Sequence, residues 1–327
     1  MRCKVCREVA VVDVRRHNAA FCRDHFVEHV HNQVARTIKE FSMFTSEDRL
    51  LIAVSGGKDS LALWDVLLDL GYDVTGFYLD LGIGGYSERS KQAAVAFAEA
   101  RGAKLIVRSL EQEHGYTVPE LARLTGRVPC SGCGLNKRYE FNRAALEEGF
   151  DVLVTGHNLD DEVATLFGNL LHWNTDMLGR QAPVLEERVL ENGTGPALVR
   201  KVKPLVRVAE RETAAYALLK GIDYIVEECP MVEGNTQHRY KQAITLLEEA
   251  SPGTKQQLYF GFLKKAAHRF EDDAAQGRLA PCASCGAPTI AWDDGEARCS
   301  FCKTKALARK RKESGAPARA PRRRRRR

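Results

Sequence analysis

The 327-residue sequence has no apolar run approaching the length needed to cross a bilayer, so no transmembrane helix is expected. Met1-Arg2-Cys3-Lys4 opens on charge and not on the apolar stretch of a secretory signal, which makes the expected compartment cytoplasmic. A positively charged body is missing too. The formal net charge is +6, yet Arg309–Arg327 alone holds eleven Lys or Arg against one Glu, which leaves the remainder at −4. The basic balance therefore sits in one tail. The common nucleotide loop G-x-x-x-x-G-K-S/T is absent. Nor is any cysteine left over. The ten fall into Cys3, Cys6 and Cys22, then Cys130, Cys133 and Cys229, then Cys282, Cys285, Cys299 and Cys302. In a reducing compartment such grouping indicates metal rather than disulfides.

The stretch Leu50-Leu51-Ile52-Ala53-Val54-Ser55-Gly56-Gly57-Lys58-Asp59-Ser60 carries the first chemistry. A strand-like apolar run enters a glycine turn, and apolar residues at helical spacing follow from Leu61. That order aims free backbone N–H groups and the positive end of a helix dipole at one point. Gly56 and Gly57 allow a sharp turn and a close backbone approach. Ser55 and Ser60 add hydroxyls and Lys58 a mobile cation, so the fitting ligand is a phosphate or pyrophosphate. An ordinary strand-to-helix turn is the plainer alternative.

The surrounding pattern alternates. Strands are expected at Leu50–Ser55, Val74–Leu81, Lys104–Arg108 and Asp151–Thr155, with helices at Ser60–Leu70, Tyr86–Arg101 and Leu135–Glu147. This predicts an α/β fold, a Rossmann-like parallel sheet with helices on both faces. Ligands in such folds sit beyond the carboxyl ends of the strands, where Ser55-Gly56-Gly57, Leu79-Asp80 and Thr155-Gly156-His157 all fall. In Asn158-Leu159-Asp160-Asp161-Glu162, Asn158 or Asp160 can cap the next helix. Asp161 and Glu162 then lie in its first turn, able to hold Mg²⁺, to move a proton, or merely to complement the dipole. Further expectations are helices over Phe26–Phe44, Glu210–Lys220, Tyr240–Glu249 and Gln256–Phe270, a strand over Val199–Val206, and a polar loop over Glu186–Pro196.

Cys3-x2-Cys6 with Cys22-x2-His25 reads as a closed three-thiolate, one-imidazole zinc site, and Cys282-x2-Cys285 with Cys299-x2-Cys302 as a four-thiolate zinc ribbon. Cys130-x2-Cys133 has no second pair, only Cys229 before Pro230. Three thiolates suit an iron–sulfur cluster with one iron open. A redox disulfide or inert buried thiols remain alternatives. Lys137, one helical turn past Cys133, can reach a developing negative charge or be a solvated helix lysine. The expected organisation is a zinc module over 1–30, a catalytic domain over 31–272, a zinc ribbon over 273–308 and a disordered basic tail over 309–327.

The SGGKDS loop resembles that of the pyrophosphate-loop (PP-loop) ATP pyrophosphatases, which cleave ATP between its α and β phosphates. The full order of motifs from Cys3 to Cys302 resembles one branch of them, the tRNA 2-thiouridine synthetases of the TtuA type and the related wobble-uridine thiolases. The resemblance implies that Ala53, Ser55, Gly56, Gly57, Lys58, Asp59, Ser60, Leu79, Lys137 and Gly156 hold ATP with Mg²⁺. It implies that Cys130, Cys133 and Cys229 hold a 4Fe–4S cluster, and that Lys137, Asp161 and Asp59 occupy catalytic positions. It further implies a tRNA substrate thiolated at 5-methyluridine 54 or at wobble position 34, sulfur from a ubiquitin-like carrier ending in a thiocarboxylate, and a homodimer. A non-catalytic zinc-dependent RNA-binding protein is the rival expectation.

Overall fold

The structure is a computed structural model, and it describes residues 1–190, 196–232, 236–271, 278–291 and 296–315. Taken in chain order, β1 (Val12–Val14) and β2 (Ala19–Phe21) form an N-terminal hairpin, and α1 (Arg23–Glu40) follows. The central region comprises β3 (Leu50–Val54), α2 (Lys58–Asp69), β4 (Val74–Asp80), α3 (Gly84–Arg101), β5 (Leu105–Ser109), α4 (Leu110–His114), α5 (Val118–Thr125), α6 (Pro129–Glu147), β6 (Val152–Thr155), α7 (Leu159–Leu171) and α8 (Thr175–Leu178). Short strands come next: β7 (Val184–Leu185), β8 (Arg188–Val189), β9 (Pro196–Leu198) and β10 (Arg200–Val202). The remainder is α9 (Glu210–Lys220), α10 (Thr236–Ala250), α11 (Thr254–Lys265), the hairpin β11 (Arg278–Pro281) and β12 (Pro288–Ala291), and α12 (Ser300–Glu313).

The main sheet has the order β5-β4-β3-β6-β10-β7, parallel except for β7 at its edge. The strands buried on both faces are mostly apolar, as parallel sheets require, with Thr75 and Thr155 as buried exceptions. In β3, Leu50, Leu51 and Ile52 are fully buried, each adding about 1.5–3 kcal/mol of burial energy. Alternate β3 residues belong to different cores. Leu50, Ile52 and Val54 pack with α1, α2, α3 and α9, while Leu51 packs with α4, α5 and α6. The connections from β3 run outward to β4 and β5 on one side, and β6 then returns to pair with the other edge of β3, Leu50 opposite Val152 and Ala53 opposite Thr155. Strand order thus reverses between β3 and β6, where open α/β sheets bind ligands.

Several boundaries differ from the expected ones. The strand expected over Val199–Val206 stops at Val202, because a 3₁₀ turn begins at Pro204, which has no N–H for a ladder. The expected Gln256–Phe270 helix ends at Lys265 before a separate 3₁₀ turn over Ala267–Phe270. The loop expected over Glu186–Pro196 contains β8, which pairs with β9; 191–195 lie outside the described residues. Helix α1 continues through residue 30, and Cys3, Val14, Phe21 and Phe26 share one core with the sheet. At the other end α12 runs to Glu313, five residues into the stretch expected to be an unstructured tail, and 316–327 lie outside the described residues. Among the described residues no helix is long and apolar enough to cross a membrane.

Candidate active site

The loop after β3 is built by two close approaches. Gly56 has φ +73°, and a Cβ there would stand 2.2 Å from the Ser90 carbonyl oxygen. Gly156, after β6, would put a Cβ 3.0 Å from the Ser60 backbone nitrogen, so a glycine there lets the end of β6 approach the first turn of α2 this closely. Gly57 caps α2, and Ser60 Oγ donates to the Gly57 carbonyl at 3.0 Å while accepting from the Ser55 amide at 3.2 Å. The first amides of α2 are thereby left pointing into a cleft of about 350 Å³.

That cleft gathers much of the predicted nucleotide set. Ala53, Ser55, Gly57, Asp59, Ser60, Leu79, Lys137 and Gly156 all line it. Gly56 and Lys58 are not lining residues. Gly56 accepts a hydrogen bond from the Ile225 amide at 2.9 Å, and Lys58 Nζ reaches Asp59 at 3.1 Å and Glu210 at 2.9 Å. Among the described residues Lys137 has no acid partner.

Asp161 sits just beyond. It closes a capping box with Asn158, accepting from that residue's amide at 3.2 Å, and its other oxygen meets Lys241 Nζ at 2.6 Å. Asn158 Nδ2 in turn donates to Asp59 at 3.1 Å, and Thr213 Oγ1 donates to the same oxygen. Lys241 also binds Glu210, at 2.8 Å, closing a ring of Lys58, Asp59, Asn158, Asp161, Lys241 and Glu210. Burial raises Glu210, but Lys241 and Lys58 outweigh it and bring the carboxyl to about 2. Asp59 moves up, chiefly by burial, against the pull of Lys58 and Thr213. Every oxygen of Asp59 and Asp161 has a partner here: Lys58, Asn158 and Thr213 for Asp59, Lys241 and Asn158 for Asp161. Glu162 lies elsewhere: buried, it binds Lys203 at 2.7 Å and accepts from Gln181 and Tyr259. Its role is structural.

Helix α6 carries Cys130 and Cys133 next to residues that line the cleft. It begins at Pro129, which puts Cys130 and Cys133 in its first two turns, and Gly134 and Lys137 of that helix line the cleft. Cys229 arrives on the segment tied to Gly56 through Ile225. Burial and then the neighbouring Cys133 and Cys229 push the Cys130 thiol up, opposed by Lys137. Burial, Cys229 and Cys133 also raise Tyr86, a cleft residue. The three thiols do not all approach within 4.8 Å, as the other two cysteine groups do. A single tetrahedral ion draws its ligands together more tightly than that, so the triangle is not arranged as a one-ion site.

The other groups suit one tetrahedral ion each. In Cys3, Cys6, Cys22 and His25, and again in Cys282, Cys285, Cys299 and Cys302, all ligand atoms lie within 4.8 Å of one another. Burial raises the Cys3 and Cys282 thiols, but surrounding amide hydrogen bonds prevail and lower each to about 6, favouring the metal-binding thiolate.

Sequence reasoning missed three cleft or ring cations. Lys201 of β10 lines the cleft, and burial with nearby Lys203 lowers it to about 8. Arg138 lines it beside Lys137, and Lys241 completes the ring from α10. None has a local motif. Only the alternation of Arg200, Lys201 and Lys203 around a buried Val202 hinted that a strand presents cations.

Comparison with known proteins agrees with this architecture. The family model of the PP-loop domain matches residues 28–245, and that of the 2-thiouridine synthetase TtuA N-terminal LIM domain matches residues 2–27. A tRNA-5-methyluridine(54) 2-sulfurtransferase from Thermus thermophilus is 48% identical over 303 residues, covering 93% of this chain and 90% of the relative. One from Pyrococcus horikoshii is 41% identical, covering 93% of each. The solved U34-tRNA thiolase NcsA from Methanococcus maripaludis, determined with its 4Fe–4S cluster, has the same fold at TM-score 0.71 and 24% identity, covering 81% of this chain and 87% of that one. With a PP-loop between β3 and α2 and these relatives, the chain belongs to the PP-loop family of TtuA-type 2-thiouridine synthetases.

Proposed function

We propose that the chain 2-thiolates tRNA, with 5-methyluridine 54 as its target, by ATP-dependent activation of the base. The observation that carries this reading is that the phosphate loop and Lys137 line one cleft, while Cys133 and Cys229 act electrostatically on Tyr86, another residue of its lining. Position 54 is preferred to wobble position 34 because relatives named for it share 39–48% identity, against 30% for the tRNA 2-thiolation protein NcsA of Haloferax volcanii.

A uridine C2 carbonyl is a poor electrophile because its oxygen would have to leave as oxide. Attack of that oxygen on the α-phosphorus of ATP forms a C–O–P linkage and releases pyrophosphate. Sulfide then adds to C2, and the C2–O bond breaks with AMP carrying away the oxygen. The amides opening α2 and the Ser55 and Ser60 hydroxyls hold the phosphates. Lys137 and Lys201, across the cleft, stabilise the charge that grows as pyrophosphate leaves. Asp161 and Asp59 keep Asn158, Lys58 and Lys241 in place around the loop, and Ala53 and Leu79 provide an apolar seat for the adenine. Cys130, Cys133 and Cys229 would hold a 4Fe–4S cluster, which when bound supplies an iron open to sulfide. Two Zn²⁺ would complete the terminal cysteine groups. Mg²⁺ would enter with the triphosphate. A ubiquitin-like carrier with a C-terminal thiocarboxylate is the proposed sulfur source, and the working form is a proposed homodimer in the cytoplasm.

Nucleoside mass spectrometry of unmodified tRNA incubated anaerobically with the reconstituted chain, ATP and sulfide tests this. The expected product is 2-thio-5-methyluridine with one AMP and one pyrophosphate per sulfur. ADP release, or thiolation at position 34 only, would refute the assignment.

A further inference from the structure

Beside the cleft lies a larger groove of about 1150 Å³, walled by α6, by β8 and β9, and by the C-terminal cysteine module. Its lining carries Arg138, Arg143, Arg180, Arg188, Arg298 and Lys303 against one acid, Glu147. Glu147 is already neutralised by Arg108 at 2.6 Å and lies 3.7 Å from Arg143. Arg143 is further held by Glu113 and Glu140. The remaining charge is more open. Arg138, Arg188, Arg298 and Lys303 are all exposed, and the nearest acid to Arg298 is Glu296 at 3.8 Å. Among the described residues Arg138, Arg188 and Lys303 have no acid partner. A protein whose body is acidic concentrates unpaired cations in one concave strip. That is the electrostatic footprint of a bound polyanion.

The groove and the cleft adjoin at one residue. Arg138 lines both, with Lys137 on its cleft side and Tyr139 on its groove side. The outer wall is firmly attached. Phe301 stacks on Tyr139 with ring centroids 3.7 Å apart and planes 4° from parallel, and a chain runs from Lys305 through His114 to Glu140 at 3.1 and 2.7 Å. The N-terminal cysteine module differs. Cys3, Val14, Ala19, Phe21 and Cys22 of it are buried in the sheet's own core, and the nearby Arg16 is bound to Glu212 at 2.6 Å and to the Arg207 carbonyl at 3.0 Å.

We propose that this groove holds the sugar–phosphate backbone of the substrate RNA beside the target nucleoside, with the C-terminal cysteine module as one wall of the RNA surface. Arg138 marks where the strand passes from groove to cleft. The inference rests on the thiolation reading and adds the path of the RNA to it.

The test compares the full chain, the groove variant R188E/R298E/K303E and a control variant K91E/K104E/K265E of equal charge change, all altered at exposed positions. Binding of unmodified tRNA is measured by fluorescence anisotropy between about 50 and 200 mM salt. The groove variant is expected to bind at least about tenfold more weakly, with a salt slope shallower by about three, one for each phosphate contact removed. The control keeps most of the affinity, and ATP binding is unchanged in both. A groove variant that binds tRNA as the unaltered chain does at every salt concentration overturns the inference. The same holds if it keeps tRNA affinity and loses thiolation only when a protein supplies the sulfur, which would make the groove a protein-docking surface. If the unaltered chain itself binds no tRNA, the thiolation reading falls and the groove assignment with it.

Discussion

Gly56→Ala is the sharpest local perturbation the loop offers. At φ +73° an alanine costs about 1–2 kcal/mol for its left-handed conformation alone. Its Cβ would also stand 2.2 Å from the Ser90 oxygen and 2.8 Å from the Ser90 carbonyl carbon, and both are backbone atoms of a buried helix turn that cannot swing aside. Relieving such a clash costs about 1–3 kcal/mol more. The sum, roughly 2–5 kcal/mol, should lower the main unfolding transition by on the order of 5–10 °C. The damage has a direction. To escape Ser90 the loop must move, and the Gly56 carbonyl must then release the Ile225 amide that tethers the segment carrying Cys229. ATP affinity and iron content of the reconstituted protein should therefore fall together. Gly57→Ala is the control, since its φ of −89° is ordinary and its nearest added contact is the Ser55 hydroxyl at 3.4 Å. Calorimetry, isothermal ATP titration and iron analysis measure the three effects. A Gly56→Ala protein that melts, binds ATP and loads iron like the unaltered chain would refute this account of the loop.

Other consequences can be checked as simply. Lys201 is charged below about pH 8 and neutral above it, so ATP affinity should be flat towards neutral pH and decline as pH rises past 8. Lys201→Met should bind more weakly at pH 7 and lose that decline, as titration calorimetry across pH would show. Glu210 has a depressed pKa of about 2, so its contribution to stability is complete above the ordinary carboxylate range and is lost as pH falls towards 2. Glu210→Gln should remove that part of the acid-unfolding curve, followed by circular dichroism. Cys22→Ser should lower the main melting transition because its module shares the sheet's core, whereas Cys302→Ser should loosen mainly the small cluster around Phe301 and leave that transition nearly in place.

What the sequence disclosed followed the physics of each element. The buried parallel strands were legible because both faces are covered and their residues are mostly apolar, and Ser55–Ser60 and Thr155–Glu162 were legible because glycines and caps mark the strand ends. Helix α5 carried equally good signals, Thr117 as cap, Pro119 in the first turn and Gly126 at the end, yet was not anticipated. The pair β8 and β9 had no such signal, being two and three residues long. The ring around Asp161 was not legible at all. Lys58, Glu210 and Lys241 come from three helices far apart in the chain, and a lone lysine on a helix looks like any solvated one until the fold places a carboxylate beside it. For the same reason the cationic groove could not be foreseen: its arginines are scattered from Arg138 to Arg298 in a body of net negative charge.

The account stands on one cleft serving both the nucleotide and the three-thiolate site, and Cys229→Ala examines that directly. ATP binding and single-turnover thiolation of tRNA are measured on the same anaerobically reconstituted preparation of the variant and of the unaltered chain. The predicted result is ATP affinity within about twofold of the unaltered chain, because the phosphate loop is intact, and no thiolated nucleoside. Thiolation at the unaltered rate by the cysteine variant would contradict the account.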